Sequence, residues 1–379
     1  MRIAINTRLL LPGRLDGIGW FTYETTRRMV LAHPETEFYF FFDRRPDPAF
    51  IFADNVRPIV LHPESRHPIL WYIFFEWSVA RALKRYKIDL FLSPDGWMSL
   101  RTGVPTLDVI HDLNFEHSDD FLRSSHQRYM KHFFPRFAHK ATRIATVSEF
   151  SKSDIATTYG IAPDKIDVVY DGAHSEYVPS SEEERRKTRE KYTNGHPYYI
   201  YISTITKRKN LTNTLRAFDQ FKKTDKEGYK LVVVGARTWW GEELKEAYDN
   251  MQYQEDVIFV GRAESGELSR LLGAAQALVY VSLFEGFGIP ILEAFNAEVP
   301  VITSNCTSMP EVAGHAALLV NPTMVDEIAM AMRLIATDKQ QGAQLVEAGR
   351  RQRQLFSWNR TADLLWESLM KTANTQHGG

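Results

Sequence analysis

Twelve short apolar runs punctuate this chain, and most stretches between them repeat at helical rather than strand spacing. In the first half the runs fall at 3–6, 38–43, 56–61, 89–93, 105–110, 143–147 and 167–170, with helix-like segments at 18–32, 69–86, 124–140 and 149–159. Strands alternating with amphipathic helices make βαβ units, and those require a parallel sheet covered on both faces. The pattern then lapses into Asp171-Gly172, Pro179-Ser180-Ser181 and a charge-rich helical run at 182–191, which Ser181 and Glu184 can open as a capping box. It restarts with runs at 198–203, 230–234, 257–260, 277–281 and 299–303, a helical pair at 325–353 and a last amphipathic helix at about 361–371. The expected architecture is α/β with two Rossmann-like domains. The first spans 1–175 and is completed by a C-terminal helix within 358–379; a linker runs over 176–197, and the second domain spans 198–357.

A length of 379 residues suits two such domains. With 46 basic and 47 acidic residues the net charge is −1, which speaks against a nucleic-acid partner and leaves room only for local anion sites. Cys306 is the single cysteine, so an internal disulfide and a thiolate metal cluster are both excluded and a reducing compartment fits. Met1-Arg2-Ile3-Ala4 enters a strand-like run with no export signal, and the most apolar stretch, 68–82, is interrupted by Glu76 and Arg81. A cytoplasmic protein is expected, with peripheral contact at the inner face of a membrane as a further expectation.

In open α/β sheets ligands bind outside the carboxyl ends of the strands. The segment Ser282-Leu-Phe-Glu285-Gly-Phe-Gly288-Ile-Pro290-Ile-Leu-Glu293-Ala294 follows such an end. Its glycines permit a tight loop, Pro290 suits a first helical turn, and a helix N-terminus favours an anion flanked by two carboxylates; two surface glutamates on a plain turn are the alternative. Lys207-Arg208-Lys209 also follows a strand, where it can neutralise a diphosphate or simply open a solvated helix. Asp16-Gly17-Ile18-Gly19 opens a helix, but Thr22 stands where a dinucleotide fingerprint needs a third glycine. His111-Asp112 ends another strand, at the cleft if the sheet is parallel, or serves structure alone. The aromatic cluster Trp71, Tyr72, Phe74, Phe75 and Trp77, followed by Lys84, Arg85 and Lys87, reads either as core or as a membrane-surface helix.

Taken together these segments resemble the family 4 retaining glycosyltransferases of the GT-B fold, in which two Rossmann-like domains face each other. The pair Glu285 and Glu293, separated by seven residues, is similar to that family's paired glutamates, and Ser304-Asn305 with Met309-Pro-Glu-Val-Ala-Gly314 matches its next segment. Lys207-Arg-Lys-Asn210, Val109-Ile-His-Asp-Leu113, Val147-Ser-Glu-Phe-Ser151 and the Gly17-Ile-Gly19 loop occur in the family's order. The resemblance implies a nucleotide-diphosphosugar, GDP- or UDP-linked, as co-substrate. It places the donor mainly on the second domain, and a saccharide or lipid-linked acceptor mainly on the first. Glu285 would hold donor-sugar hydroxyls, Glu293 the ribose hydroxyls, and Arg208 and Lys209 the diphosphate. His111 would contact the sugar near its anomeric carbon, the amides of Phe287, Gly288 and Ile289 would line sugar and phosphate, and Gly17 and Gly19 would lie by the phosphate or acceptor. Many members carry glycine where this chain has Ser203, a cation where it has Trp20, and Asn-Gly where it has Asp171-Gly172.

Transfer with retention and no obvious enzymic nucleophile implies same-face substitution, with the leaving diphosphate taking the acceptor's proton. Fixed cations and helix amides suit that departing charge. No Asp-x-Asp occurs at the expected positions, so no metal and no other cofactor is expected. Resemblance to polysaccharide mannosyltransferases points to GDP-mannose first and UDP-sugars next. An epimerase or phosphorylase of the same fold, or a nucleotide-sugar-binding protein without catalysis, are the alternatives.

Overall fold

A computed structural model describes residues 1–13, 15–118, 124–237 and 240–375. The chain divides into two compact units, Met1–Asp171 with Ser357–Gly379, and Gly172–Phe356.

The first unit contains β1 (Arg2–Asn6), β2 (Glu37–Phe42), β3 (Val56–Val60), β4 (Leu90–Ser93), β5 (Thr106–Val109), β6 (Arg143–Thr146) and β7 (Ile166–Val168). They form one sheet in the order β3-β2-β1-β4-β5-β6-β7, and every neighbouring pair is parallel. Ile3 stands level with Phe38 on one side and Leu90 on the other. The central strands are buried almost throughout, as a sheet covered on both faces must be. From the sheet, Ala4, Phe91 and Ile144 meet Phe74, Phe75, Phe134 and Phe137, which come from the helical stretch 68–85 and from helix Ser124–Lys140. The last helix, Trp358–Asn374, buries Trp358, Ala362, Leu365 and Leu369 in this same unit. The Ser357 side chain caps its start by accepting from the Arg360 amide.

The second unit contains β8 (Tyr198–Ile202), β9 (Lys230–Val234), β10 (Val257–Gly261), β11 (Ala277–Tyr280), β12 (Val301–Ser304) and β13 (Ala317–Val320), ordered β10-β9-β8-β11-β12-β13 and again all parallel. Strand β8 carries three tyrosines inside the core, each with its hydroxyl satisfied: Tyr198 donates to the Leu271 carbonyl, Tyr199 to Met332 and Tyr201 to Lys209. Both sheets reverse their strand order beside their first strand, between β1 and β4 and between β8 and β11. Such a switch point is where loops from neighbouring strands diverge and leave room for a ligand.

The boundaries differ from the expectation. The stretch 176–197 is no free linker: helix Glu182–Thr193 belongs to the second unit, which begins at Gly172 and ends at Phe356. Its capping box forms, with the Glu184 carboxylate accepting from the Ser181 amide at 2.8 Å. Arg189 then donates to the Ala274 carbonyl at 3.0 Å, and a Cβ at Gly273 would lie 2.2 Å from the Ser180 hydroxyl, so this segment is packed on its own unit. Strand β13 was absent from the expected set. It is a half-exposed edge strand, where the burial pattern that marks a core strand fades. The first unit therefore ends at Asp171 and not at 175, and its C-terminal helix is described as far as Asn374, residues 376–379 lying outside the described residues.

Candidate active site

In the second unit the loops after β8 and β11 clasp each other at the switch point. After β8 a single 3-10 turn, Lys207–Lys209, presents the cations, and Asn210 follows in the left-handed conformation at φ +58°. The buried Asn210 amide donates to the carbonyls of Val281 and Pro322, both at 2.8 Å, while the Leu283 amide donates to the Arg208 carbonyl at 2.8 Å. Arg208 and Glu285 are thereby brought together from positions 77 residues apart in the chain.

The Glu285 carboxylate is the centre of this cluster. Arg208 approaches one oxygen at 2.7 Å and Lys209 the other at 2.6 Å, and the three side chains are only 8–20% exposed. Burial by itself pushes a carboxyl upward, but Arg208, Lys209 and a hydrogen bond from Ser282 outweigh it and hold Glu285 down at about 2. Lys209 also donates to the Tyr280 hydroxyl at 2.9 Å, and Arg208 to the Phe284 carbonyl at 2.6 Å. From the β12 side the Thr307 hydroxyl accepts from the Glu285 amide, and Ser308 donates to the carbonyls of Glu285 and Phe287.

Gly288 ends the loop at φ +108°, a conformation that leaves no easy place for a side chain, and helix Ile289–Asn296 begins with Pro290 in its first turn. Phe287 turns inward and packs edge-on against Phe356, with ring centres 5.6 Å apart. The loop is more enclosed than a surface turn: Phe284, Glu285, Gly286, Phe287 and Gly288 are all buried, and Ile289 is half-buried.

Glu293, on that helix, has the opposite environment. It is 7% exposed, its partner is the Tyr177 hydroxyl, and burial pushes it up to about 8 against the downward pull of that hydrogen bond. One motif thus carries two carboxyls of opposite character: Glu285 is ionised and paired with cations, and Glu293 holds its proton at neutral pH.

In the first unit, Asp16 caps helix Gly17–Ala32 by accepting from the Gly19 amide at 2.9 Å. The Gly19 amide is thus engaged by the cap. A Cβ at Gly19 would sit 3.2 Å from Leu15 and from the Leu9 carbonyl, whereas Gly17 is exposed with open space around it. Arg14, beside this loop, lies outside the described residues.

His111 follows β5 and is half-buried. Its Nε2 stands 2.8 Å from the Pro94 carbonyl, which can only accept, so Nε2 carries the proton and Nδ1 is left as the acceptor. Burial holds the imidazole below its ordinary value against the pull of Pro94 and three aspartates, and the Phe21 ring meets it edge-on at 4.9 Å. The turn that supplies the Pro94 carbonyl is pinned by a buried ion pair. Arg8 donates to Asp95 at 2.7 Å, and Asn6 donates to the same carboxylate at 2.8 Å. Single charged residues after strands give no sequence signal, and Arg8 and Asp95 were not anticipated. Nor were Tyr177, Tyr280, Thr307 and Ser308, which act through contacts from distant segments. Among the described residues no group of three or more His, Cys, Asp or Glu side chains is placed to hold a metal ion.

Two family descriptions match the chain, Glycosyltransferase Family 4 over residues 15–177 and Glycosyl transferases group 1 over 181–352. The chain is similar to O-antigen chain mannosyltransferase B of Escherichia coli, 28% identical over 91% of this chain and 93% of that protein. It is also similar to O-antigen chain mannosyltransferase RfbU of Salmonella typhimurium, 28% identical over 67% of each. Among solved structures it resembles Anabaena HepE in complex with UDP-glucose, with a TM-score of 0.72 at 17% identity over the whole of both chains. With the paired glutamates, the cationic turn and two parallel sheets in place, the chain belongs to the family 4 glycosyltransferases of the GT-B fold.

Proposed function

We propose that this glycosyltransferase moves a hexose, mannose first among candidates, from a nucleotide-diphosphosugar to a saccharide or lipid-linked acceptor in surface polysaccharide synthesis. Retention of the anomeric configuration is a trait of family 4. The observation that carries the reading is the Glu285–Arg208–Lys209 cluster at the β8/β11 switch point. Arg208 and Lys209 meet the donor's diphosphate and stabilise it as it leaves, in a buried setting where charge is worth more than in water. Glu285 then exchanges its cations for hydroxyls of the donor sugar, and Glu293 takes the ribose diol. His111 offers Nδ1 to a hydroxyl of the transferred sugar. The leaving phosphate accepts the acceptor's proton, so the new glycosidic bond forms on the face where the old one breaks. The two cations supply the positive charge, and no metal is needed.

GDP-mannose is the favoured donor, supported by the mannosyltransferases among the relatives, and UDP-sugars are next, supported by the UDP-glucose bound to a protein of the same fold. No helix among the described residues is long and apolar enough to cross a membrane. The proposed place of action is the cytoplasm, with peripheral contact at the inner face of the membrane. A melting panel of nucleotide sugars tests the donor. At 100 times its dissociation constant a bound donor stabilises by about 2.7 kcal/mol, and a panel in which no nucleotide sugar raises the melting temperature would remove the reading.

A further inference from the structure

The aromatic cluster lies on the helical stretch 68–85 of the first unit. It opens at Pro68, capped by His67, and its middle, Phe74–Val79, is wound as a π-helix. Trp71, Phe74, Phe75 and Val79 turn inward and are buried. Ala82 and Leu83 are buried with them, whereas Ile69 is 65% exposed, Trp77 51%, Ile73 38% and Tyr72 37%. Positions 69, 73, 77, 81 and 85 advance by four. An α-helix turns every 3.6 residues, so such a stripe drifts around it, and the wider π turns draw it back into line. One outer face therefore runs Ile69, Ile73, Trp77 and then Arg81 and Arg85, with Lys84 beside them, all exposed. Arg101 lies over the Trp77 ring at 4.8 Å.

The charge along this stretch is predominantly basic. Between residues 65 and 88 the single acidic residue is Glu76, and it is buried with its carboxylate accepting from the Leu100 amide. Tyr72 continues the surface onto helix Ser124–Lys140 through its contact with Phe133, with rings 6.0 Å apart. From 124 to 148 there is no acidic residue, while Arg128, Arg136 and Lys140 are exposed. A chain of net charge −1 has concentrated its cations here, around apolar side chains that a solvated face would not carry.

We propose that this stripe docks the protein on an anionic bilayer: Ile69, Ile73 and Trp77 enter the headgroup boundary, and Arg81, Lys84, Arg85 and the helix 124–140 cations bind lipid phosphates. A large apolar–basic division and an interfacial tryptophan are the marks of a helix lying in the membrane plane. The inference rests on the reading above for its use, bringing the enzyme to a lipid-linked acceptor, but its test needs no donor. Vesicles of phosphatidylcholine alone and of phosphatidylcholine mixed with phosphatidylglycerol are sedimented with the protein. Binding is expected only to the mixed vesicles, falling about fivefold for each cation replaced in Arg81→Glu and Lys84→Glu. Ile69→Glu and Trp77→Glu abolish it, while melting temperature and transfer to a water-soluble saccharide stay unchanged. Brominated lipid quenches a part of the fluorescence that Trp77→Phe removes. Equal binding to both vesicle types, or binding unaltered in the four variants, overturns the proposal. So does a change in oligomeric state in Ile69→Glu without lipid, which would make the stripe an interface between copies. Failure of vesicle binding alongside active transfer in detergent would sink the docking face and leave the proposed function standing.

Discussion

Lys209 lies 2.6 Å from one carboxylate oxygen of Glu285 and Arg208 2.7 Å from the other, so a single carboxylate is shared by two cations. On the proposed function, a diphosphate competes with Glu285 for Arg208 and Lys209. In that proposal Glu285 acts twice, as counter-ion to Arg208 and Lys209 and as a partner of the sugar once the diphosphate takes the cations. Glu285→Gln is expected to lower turnover by about ten- to a hundredfold, the size of one lost charge-assisted hydrogen bond. Its affinity for free nucleotide diphosphate should be equal to or tighter than that of the unsubstituted protein, since a competitor has been removed. Calorimetric titration beside turnover at saturating donor reads both, and a weaker nucleotide complex would contradict the placement.

The cations themselves are expected to discriminate by charge. Arg208→Ala and Lys209→Ala each remove about 1.5–3 kcal/mol from a nucleotide diphosphate and far less from the nucleoside. Titrating both ligands into each variant checks this, and equal losses would show that the turn after β8 does not meet the phosphates.

Glu293 predicts a pH dependence. Its carboxyl is raised from the ordinary 4.5 to about 8 by burial, so the folded protein holds a proton there that the unfolded chain releases earlier. The stability that this proton confers is complete below about 4.5 and is lost progressively as pH rises to about 8. The margin by which Glu293→Gln melts above the unsubstituted protein should widen over that window and stay flat beyond it. A ribose diol that donates to Glu293 favours the carboxylate, so nucleotide binding at pH 7 should release up to about one proton, seen as a dependence of calorimetric heat on buffer ionisation enthalpy. Heats independent of the buffer at pH 7 would contradict this role.

These two carboxyls mark how far sequence reasoning reaches. The strands and the longer helices follow from period and from caps such as Ser181 with Glu184, because both are local. The clasp between Lys207–Asn210 and 281–285 was legible only as two segments at strand ends; nothing in either says that Arg208 will meet Glu285 instead of water. The opposite charge states of Glu285 and Glu293 come from what lies around them: two cations for one, and for the other burial that the hydrogen bond from Tyr177, more than a hundred residues earlier, does not offset. Glycines were easy to find and harder to interpret. Gly288 sits in the left-handed region as the turn requires, while Gly19 serves close packing and a cap. Strand β13 escaped because an edge strand need not bury both faces.

Chelation separates a site run by side-chain cations from one run by a metal. Transfer is expected to continue in EDTA at an undiminished rate, with Arg208 and Lys209 carrying the leaving-group charge. Loss of activity in EDTA, restored by magnesium or manganese, would contradict it.

The most direct test is to incubate the purified protein with GDP-mannose and an oligosaccharide acceptor and to determine the product's anomeric configuration by the one-bond carbon–hydrogen coupling at the new linkage. The account predicts a single added hexose in the donor's own configuration, with the product absent in Arg208→Ala. An inverted linkage, or no transfer from GDP-mannose or any UDP-sugar to saccharide and lipid-linked acceptors alike, would contradict it.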